Sequence, residues 1–224
     1  MNSLVVIFDL DDTLYPEIDY KISGIKVVED WISEIFRKNY KGKILEAYQK
    51  GISDIWLWVC QDLDHPDELK ESLKWIYRLH SPSIELNNEI KKLLNFLENN
   101  KIQIGILTDG RSITQKIKIE KLGLEKIPNF ISEEYKSKKP DLKRFLKIQE
   151  IWPNKKYVYI GDNPQKDFQC SRELNWFTVG VDWFPNRIHS LNKNEGMQPD
   201  IWVESPSELI LLLKSHLSKE SILQ

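Results

Sequence analysis

The sequence has few cysteines, few glycines and no long apolar run. Its 224 residues include nine glycines and two cysteines, Cys60 and Cys170. Two isolated cysteines exclude a disulfide framework and a structural zinc site. The apolar runs are far shorter than the ~20 residues that span a bilayer, and no charged segment precedes the first one as in a secretory signal. We therefore expect a cytoplasmic protein with reduced thiols and no membrane partner.

An excess of charge of one sign is also missing. The chain has 32 basic and 34 acidic residues, which gives a net charge of −2 at pH 7. This balance provides no electrostatic footprint for nucleic acid. Its length and its 41% hydrophobic residues fit one core domain with an insertion. We expect a small-molecule partner, no nucleic acid, and a monomer or weak homodimer.

The most informative segment is LVVIFDLDDTLYP at residues 4–16. Its apolar run, residues 4–8, has no polar alternation, which is typical of a parallel strand covered on both faces. Asp9, Asp11 and Thr13 follow, at the position where ligands bind in open α/β sheets. Two carboxylates at i and i+2 can project towards one site, where their repulsion requires a cation or a shared proton. Helix capping is the alternative for such an Asp-rich turn.

The pattern of apolar residues divides the chain. Residues 18–80 show helical spacing and no clear strand, which predicts an all-helical insertion. Pro82 and Ser83 indicate the return to the core, with Ser83 capping the next helix. Beyond them, predicted helices at 86–99, 112–122, 140–151, 165–174 and 206–217 alternate with predicted strands at 103–107, 130–131, 157–160, 177–181 and 201–203. This alternation predicts an α/β fold, a Rossmann-like parallel sheet with helices on both faces.

A second polar motif follows the predicted strand at 103–107. Thr108 and Asp109 begin a turn that leads into a helix. A hydroxyl and turn N–H groups at a helix N-terminus can bind phosphate oxygens. Capping of the helix by Thr108 or Ser112 is the alternative, and the motif alone does not choose between them.

Two further motifs lie later in the chain. Lys139 precedes a helix and can neutralise a phosphate and a carboxylate together, whereas Lys136 and Lys138 are expected to be solvated. Asp162 and Asp167 follow the predicted strand at 157–160. Carboxylates from separate strand ends, with water completing the shell, suit Mg²⁺. Capping is again the alternative for Asp167.

Together these motifs resemble the haloacid dehalogenase-like (HAD) hydrolase superfamily. The matching residues, in the order of the family's four motifs, are Asp9-Leu10-Asp11-Asp12-Thr13, Thr108, Lys139-Pro140, and Gly161-Asp162 with Asp167. The later motifs are weak singly, but the ordered set is specific and covers essentially the whole chain. The resemblance implies an α/β core domain at residues 1–16 and 83–224 and a helical cap domain, closing over small substrates, at residues 17–82.

The resemblance also implies roles for the two acids of the first motif. Asp9 would attack phosphorus and form an aspartyl-phosphate. Asp11 would protonate the leaving oxygen and then deprotonate the hydrolytic water. Family members that cleave carbon–halogen bonds lack this second acid, so Asp11 favours the phosphatase branch. Asp12 and Thr13 would order the turn.

The remaining implied roles concern the cation and the phosphate. Mg²⁺ would be held by the Asp9 carboxylate, the Asp11 main-chain carbonyl and Asp162. Asp167 would be a ligand through water or a partner of Lys139. The phosphate-binding residues would be Thr108, Asp109 and Lys139.

These roles predict an Mg²⁺-dependent phosphatase for a small phosphate monoester, either a sugar phosphate or a nucleoside monophosphate. A phosphomutase of the same fold is the alternative, and a non-catalytic receiver-like or binding domain is a remote one. Trp56 and Trp58 in the cap cannot share one helical face, so one could face the core and the other the cleft, where it could stack on a base or a sugar. Core packing, the commoner fate of such residues, is the alternative. Arg187 and His189 are expected to be solvated, although they could reach a substrate.

Overall fold

The computed structural model describes residues 4–185 and 195–221, which form one parallel sheet and the helices around it. The strands are β1 (Leu4–Phe8), β2 (Gln103–Thr108), β3 (Asn129–Ile131), β4 (Lys156–Gly161), β5 (Phe177–Val181) and β6 (Ile201–Val203). The helices are α1 (Glu17–Ile35), α2 (Lys43–Gln49), α3 (Ile55–Asp62), α4 (Leu69–Leu79), α5 (Asn88–Asn99), α6 (Ser112–Lys121), α7 (Ser132–Tyr135), α8 (Lys143–Ile151), α9 (Gln169–Glu173) and α10 (Pro206–Ser221). None of the described helices is long and apolar enough to cross a membrane.

The strand order is β3-β2-β1-β4-β5-β6, and every pair is parallel. The chain runs outwards from β1 through β2 and β3, then returns to β4 on the other side of β1. In open α/β sheets this reversal leaves a crevice at the carboxyl ends of the strands, where ligands bind. The predicted Rossmann-like parallel sheet is confirmed.

Helices cover both faces of the sheet because the central strand is apolar throughout. All five residues of β1 are buried, and successive side chains of a strand point to opposite faces. Val6 and Phe8 belong to a hydrophobic cluster that includes residues of α5, α6 and α10. Val5 and Ile7 belong to the opposite cluster, which includes residues of α8 and α9. An uninterrupted apolar run is what a strand covered on both faces requires.

The segment between β1 and α5 is helical, as its sequence pattern predicts. Helices α1 to α4 share a hydrophobic cluster of their own, with Ile25, Val28, Ile32 and Val59 fully buried. Buried Glu29 accepts hydrogen bonds from the N–H groups of residues 42, 44 and 45, and so caps α2 from α1. The division into a cap at residues 17–82 and a core on either side stays a prediction.

Both tryptophans of α3 pack inwards. Trp56 and Trp58 are half-buried and lie against the hydrophobic cluster of α1 to α4. The ring of Trp56 contacts Tyr77, and that of Trp58 lies near Tyr40. Of the two alternatives, core packing describes both rings, because both sides of this short helix have aromatic neighbours.

Several helix boundaries differ from the prediction. Asn87, and not Ser83, caps α5 by accepting a hydrogen bond from the N–H of Ile90. The Ser83 N–H instead donates to Ser23 of α1. Helices α8 and α9 begin three to four residues later than expected, at 143 and 169, and the short α7 was not predicted. The delayed starts leave residues 139–142 and 162–168 as loops at the carboxyl end of the sheet.

Candidate active site

The first motif lies at the reversal of strand order. Asp9 follows β1 directly, and its N–H donates to the carbonyl of Ile160 in β4 at 2.8 Å. Thr108 is the last residue of β2, and Asp162 follows the last residue of β4. The carboxyl ends of three neighbouring strands therefore bring Asp9, Thr108 and Asp162 to one edge of the sheet.

A buried cluster of four side chains forms around Lys139, and we call it the Lys139 cluster: Asp9, Lys139, Tyr159 and Asp167. The Lys139 ammonium lies 2.6 Å from Asp9 Oδ1, 2.5 Å from Asp167 Oδ1 and 3.0 Å from the Tyr159 hydroxyl oxygen. Asp9 is 7% exposed and Asp167 is fully buried. An ammonium group has three donors, so these contacts fix its orientation.

With both carboxylates ionised, this cluster has an excess of negative charge. Burial raises the pKa of Asp9 to about 7, and the charge of Asp167 adds to the rise, although the charge of Lys139 opposes it. Burial lowers the pKa of Lys139, but the charges of Asp167 and Asp9 outweigh it and hold that pKa well above its usual value. One ammonium thus faces two buried carboxylates, which is an environment that favours an additional cation.

Three carboxylates could supply ligands to such a cation. One oxygen each of Asp9, Asp162 and Asp167 lies within 4.8 Å of the others. Oxygen ligands of this kind fit a hard divalent ion such as Mg²⁺. The structure thus brings together three of the residues that the sequence assigned to the metal, directly or through water.

A glycine makes the position of Asp167 available. A Cβ atom on Gly161 would lie 2.6 Å from Asp167 Oδ2, which is closer than a carbon and an oxygen can approach. The same Oδ2 accepts the N–H of Asn163 at 2.8 Å. The loop after β4 can therefore fold back and place Asp167 next to Lys139 only because residue 161 has no side chain.

Asp11 belongs to a second set of contacts, the Asp11 cluster: Asp11, Tyr15, Gln115 and Lys118. The Lys118 ammonium lies 2.7 Å from Asp11 Oδ1, and the Tyr15 hydroxyl donates to the same oxygen at 2.5 Å. Gln115 Nε2 donates to Asp11 Oδ2 at 3.3 Å. The two carboxylates of the first motif are therefore held by different partners rather than by one shared cation.

The pKa of Asp11 moves in the opposite direction from that of Asp9. Burial alone would raise it, but the charge of Lys118 and the hydrogen bonds from Lys118, Tyr15 and Gln115 lower the pKa below its usual value. The Asp11 side chain is directed to these donors and is not part of the three-carboxylate set. A role for Asp11 as a metal ligand would rest on its main-chain carbonyl alone, as the resemblance implies.

Asp109 has a structural use for its carboxylate. Oδ2 accepts the Lys139 N–H at 3.1 Å, and Oδ1 accepts the guanidinium of Arg144 at 2.5 Å. Fully buried Arg144 also donates to the carbonyl of Thr108 at 2.8 Å. Because its carboxylate is engaged in this way, what Asp109 can offer a phosphate is its main-chain N–H. The second and third motifs are thereby tied to each other.

The other residues of the first motif order the turn, as predicted. Asp12 has a φ of 53°, and its Oδ1 accepts the N–H of Glu17 at the start of α1 at 2.9 Å. The carbonyl of Thr13 accepts the indole N–H of Trp183. The capping interpretation of the Asp-rich turn is therefore correct for Asp12, while Asp9 and Asp11 point to other partners.

Sequence reasoning missed five side chains of the site: Tyr15, Gln115, Lys118, Arg144 and Tyr159. A signal existed for two of them. Gln115 and Lys118 lie at i, i+3 with buried Ile119 and Leu122 at i+4 and i+7, which places all four on one helix face. Polar residues on a predicted core-facing stripe indicate a buried polar site.

Residues of the helical segment (α1 to α4) and of the loops lie around the site. The ring of Tyr20 in α1 lies 4.4 Å from the Lys118 ammonium. Lys136 and Lys138 are exposed, as predicted. Arg187 and His189 lie outside the described residues.

Comparison with known proteins agrees with this geometry. The sequence profile of the haloacid dehalogenase-like hydrolases matches residues 6–181. The chain is 26% identical over 235 aligned residues to a glyceraldehyde 3-phosphate phosphatase of Methanocaldococcus jannaschii, covering 94% of this chain and 96% of that protein.

Solved structures share the fold at lower sequence identity. A 2-haloacid dehalogenase from Pseudomonas syringae is 17% identical with a TM-score of 0.63, covering 96% of this chain and 99% of that chain. The HAD-hydrolase YfnB of Bacillus subtilis, solved with magnesium bound, is 17% identical with a TM-score of 0.64, covering 95% and 99%. Since the profile match extends over most of the sequence, this chain belongs to the haloacid dehalogenase-like hydrolase family, as its motifs predict.

Proposed function

We propose that this hydrolase is an Mg²⁺-dependent phosphatase that cleaves a small phosphate monoester through an aspartyl-phosphate at Asp9. The observation that carries this proposal is the separation of the two acids. Asp9 lies in the Lys139 cluster, which could bind a cation, whereas Asp11 is hydrogen-bonded to Lys118 in the Asp11 cluster. Dehalogenation needs no acid for the leaving group, so a second, separately positioned acid supports phosphate transfer.

In the first half-reaction one oxygen of the Asp9 carboxylate attacks phosphorus while the bond to the leaving oxygen breaks. The Thr108 hydroxyl donates to the phosphoryl oxygens, and the positive charge of the nearby Lys139 ammonium stabilises the charge that spreads over them during transfer. The leaving oxygen takes a proton from Asp11. Approach of the anionic phosphoryl group raises the proton affinity of the Asp11 carboxylate, because like charges disfavour its ionised form.

In the second half-reaction a water molecule attacks the phosphorus of the aspartyl-phosphate. Asp11, now ionised, takes the proton from that water. The low pKa that Lys118, Tyr15 and Gln115 impose on Asp11 favours the ionised form that this step needs. Inorganic phosphate then leaves, and the Asp9 carboxylate is restored.

The proposed cation ligands are the carboxylates of Asp9 and Asp162, with Asp167 through water and the Asp11 main-chain carbonyl. Bound there, Mg²⁺ would offset the repulsion between the phosphoryl oxygens and these carboxylates. The excess of buried negative charge around Lys139 supports this assignment, because a lone ammonium neutralises only part of it.

For the substrate we propose a short-chain sugar phosphate, because the relative from M. jannaschii is a glyceraldehyde 3-phosphate phosphatase of nearly the same length. Nucleoside monophosphates are the less supported class, since Trp56 and Trp58 are half-buried against the hydrophobic cluster of the helical segment.

A metabolite screen with phosphate detection tests this function. We expect the purified protein to release inorganic phosphate from glyceraldehyde 3-phosphate in the presence of Mg²⁺, more efficiently than from hexose phosphates or AMP, and to lose activity on chelation. The matched control is Asp9→Asn, which should release none. A phosphomutase would instead convert a sugar phosphate to its isomer with no net phosphate. Phosphate release by Asp9→Asn, or none by the wild type from any monoester, would refute the proposal.

A further inference from the structure

Lys118 is a buried cation that takes no direct part in the two half-reactions. It is 3% exposed although it is a lysine in the middle of α6. Lysines are almost never this buried unless they are paired. Its ammonium lies 2.7 Å from Asp11 Oδ1 and 4.4 Å from the centre of the Tyr20 ring. It therefore joins the acid of the core to a residue of the helical segment.

Helix α6 restrains the Asp11 carboxylate on both oxygens. Lys118 binds Oδ1, and Gln115, one turn earlier, donates to Oδ2. Gln115 Nε2 also donates to the carbonyl of Asp109 at 3.1 Å. A Cβ on Gly110 would lie 2.5 Å from this same nitrogen, so the turn packs closely against Gln115. Together with the Tyr15 hydroxyl, which donates to Oδ1, α6 thus sets the rotamer of Asp11, although it lies a long way along the chain from the first motif.

We propose that Lys118 is a positioning residue for acid–base catalysis: its ammonium fixes the Asp11 carboxylate beside the leaving oxygen, and Tyr20 of α1 holds the ammonium in place. This inference rests on the proposed phosphatase function. The proton moves from an Asp11 oxygen to the leaving oxygen, and later from water to the same carboxylate. Lys118 keeps its own protons throughout.

This role predicts a specific kinetic signature. Proton transfer from a positioned acid contributes about 10²–10⁴-fold when the leaving group is a poor one. A nitrophenolate leaves without much protonation, so the position of Asp11 matters little for its departure. A lysine that served only the stability of the fold would, when replaced, lower the activity towards all esters by the same factor.

The experiment compares Lys118→Met with the wild type on aryl and alkyl phosphates that differ in the pKa of the leaving alcohol. We expect the single-turnover rate of phosphoenzyme formation to fall about 100-fold for an alkyl phosphate but less than about 5-fold for p-nitrophenyl phosphate, with KM changed less than about 3-fold. Lys118→Arg should restore part of the lost activity. The control, Lys121→Met, replaces an exposed lysine of the same helix and should match the wild type.

A double-mutant cycle separates action through Asp11 from any other role. If Lys118 works through Asp11, then Lys118→Met should cost less than about 3-fold in an Asp11→Asn background, far below its cost in the wild type. An equal loss in the rate of phosphoenzyme formation for all leaving groups, a rise in KM with unchanged kcat, or additive losses in the cycle would each overturn the proposal. Phosphate release by the wild type tests the proposed function separately, because it does not depend on the variant ratios.

Discussion

The Lys139 cluster and the Asp11 cluster are built from the same parts but have opposite electrostatics. Each has a buried lysine, an aspartate of the first motif and a tyrosine hydroxyl. In both, burial is the largest influence and raises the pKa of the aspartate. The outcome differs, since the pKa of Asp9 rises to about 7 whereas that of Asp11 falls below its usual value.

The difference comes from the number of carboxylates for each ammonium. Lys139 is shared between Asp9 and Asp167, and Asp162 lies within reach of both. Lys118 forms an ion pair with Asp11, its charge also acts on nearby Glu17, and Gln115 and Tyr15 add two more donors to Asp11. The Lys139 cluster therefore has two ion-paired carboxylates for one ammonium, whereas the Asp11 cluster has one ion-paired carboxylate with an ammonium and two further donors. We infer that the first suits a cation and a nucleophile and the second suits an acid–base residue.

The largest effect is expected when each aspartate loses its charge. Asp9→Asn removes the nucleophile and should abolish phosphoenzyme formation and turnover, a loss of several powers of ten. Asp11→Asn keeps the nucleophile, so it should accept phosphate from p-nitrophenyl phosphate and hydrolyse the intermediate slowly. Rapid mixing followed by mass analysis of the peptide that contains residue 9 should show an added phosphoryl mass on Asp11→Asn only. Phosphate on Asp9→Asn, or on another residue, would contradict this division of roles.

Replacing Lys139 or Lys118 singly should lower the free energy of unfolding by different amounts. Lys139→Met leaves two buried carboxylates without a counter-charge and should lower the free energy of unfolding by about 3–5 kcal/mol. Lys118→Met leaves one carboxylate with two other donors and should cost less, roughly 1–3 kcal/mol.

Denaturant unfolding with and without Mg²⁺ measures these losses. Added Mg²⁺ should restore part of the stability of Lys139→Met, because a bound cation replaces the missing charge, but should not restore that of Lys118→Met. Lys121→Met is the exposed control. Equal losses for the two buried lysines, unaffected by Mg²⁺, would show that the charge count does not distinguish the clusters.

The two aspartates should also give opposite pH dependence in the metal-free protein. The pKa of Asp9 is about 7 in the folded protein, compared with 3.8 for an aspartate in the unfolded chain. The folded state therefore holds the extra proton between these values, and stability should fall as pH rises from about 4 to 7, by up to about 1.4 kcal/mol per unit. Asp11 has a lowered pKa, so its contribution is present above about pH 4 and is lost as pH falls through the folded value.

Urea unfolding of the metal-free protein, measured in the presence of a chelator across pH 3–8, shows in which direction the free energy of unfolding changes. Burial also raises the pKa of Glu17 to about 7, so Asp9→Asn should reduce the slope between pH 4 and 7 and leave the part due to Glu17. Asp11→Asn should reduce the loss of stability below pH 4. An unchanged slope in Asp9→Asn between pH 4 and 7 would mean that another group controls it.

The sequence was sufficient for the architecture because burial has a local pattern. An apolar run such as Leu4–Phe8 needs cover on both faces, and the alternation of strands and helices after residue 83 leaves few parallel topologies. It also located Asp9, Thr108, Lys139, Asp162 and Asp167, since ligand residues follow strand ends in such folds. The structure brings all five to the same edge of the sheet.

The partners of these residues could not be read from the sequence, since they come from distant elements. Nothing local pairs Asp11 with Lys118, 107 positions away, or Asp109 with Arg144, 35 positions away. Asp109 shows the same lack of local information, because its carboxylate joins two loops although its position suggested phosphate binding. Trp56 and Trp58 show it too, because the aromatic rings near them come from other elements.

By itself, the sequence determined the family, the order of the strands' motifs and which residues carry charge at the site. The tertiary structure decided what each charge does. The pKa of a carboxylate depends on burial and on the number of cations and donors within a few ångströms. Asp9 and Asp11 are two positions apart in the chain, yet one shares Lys139 with Asp167 and the other forms an ion pair with Lys118. Only the packing of α6 and of the loop before α8 against β1 sets that difference.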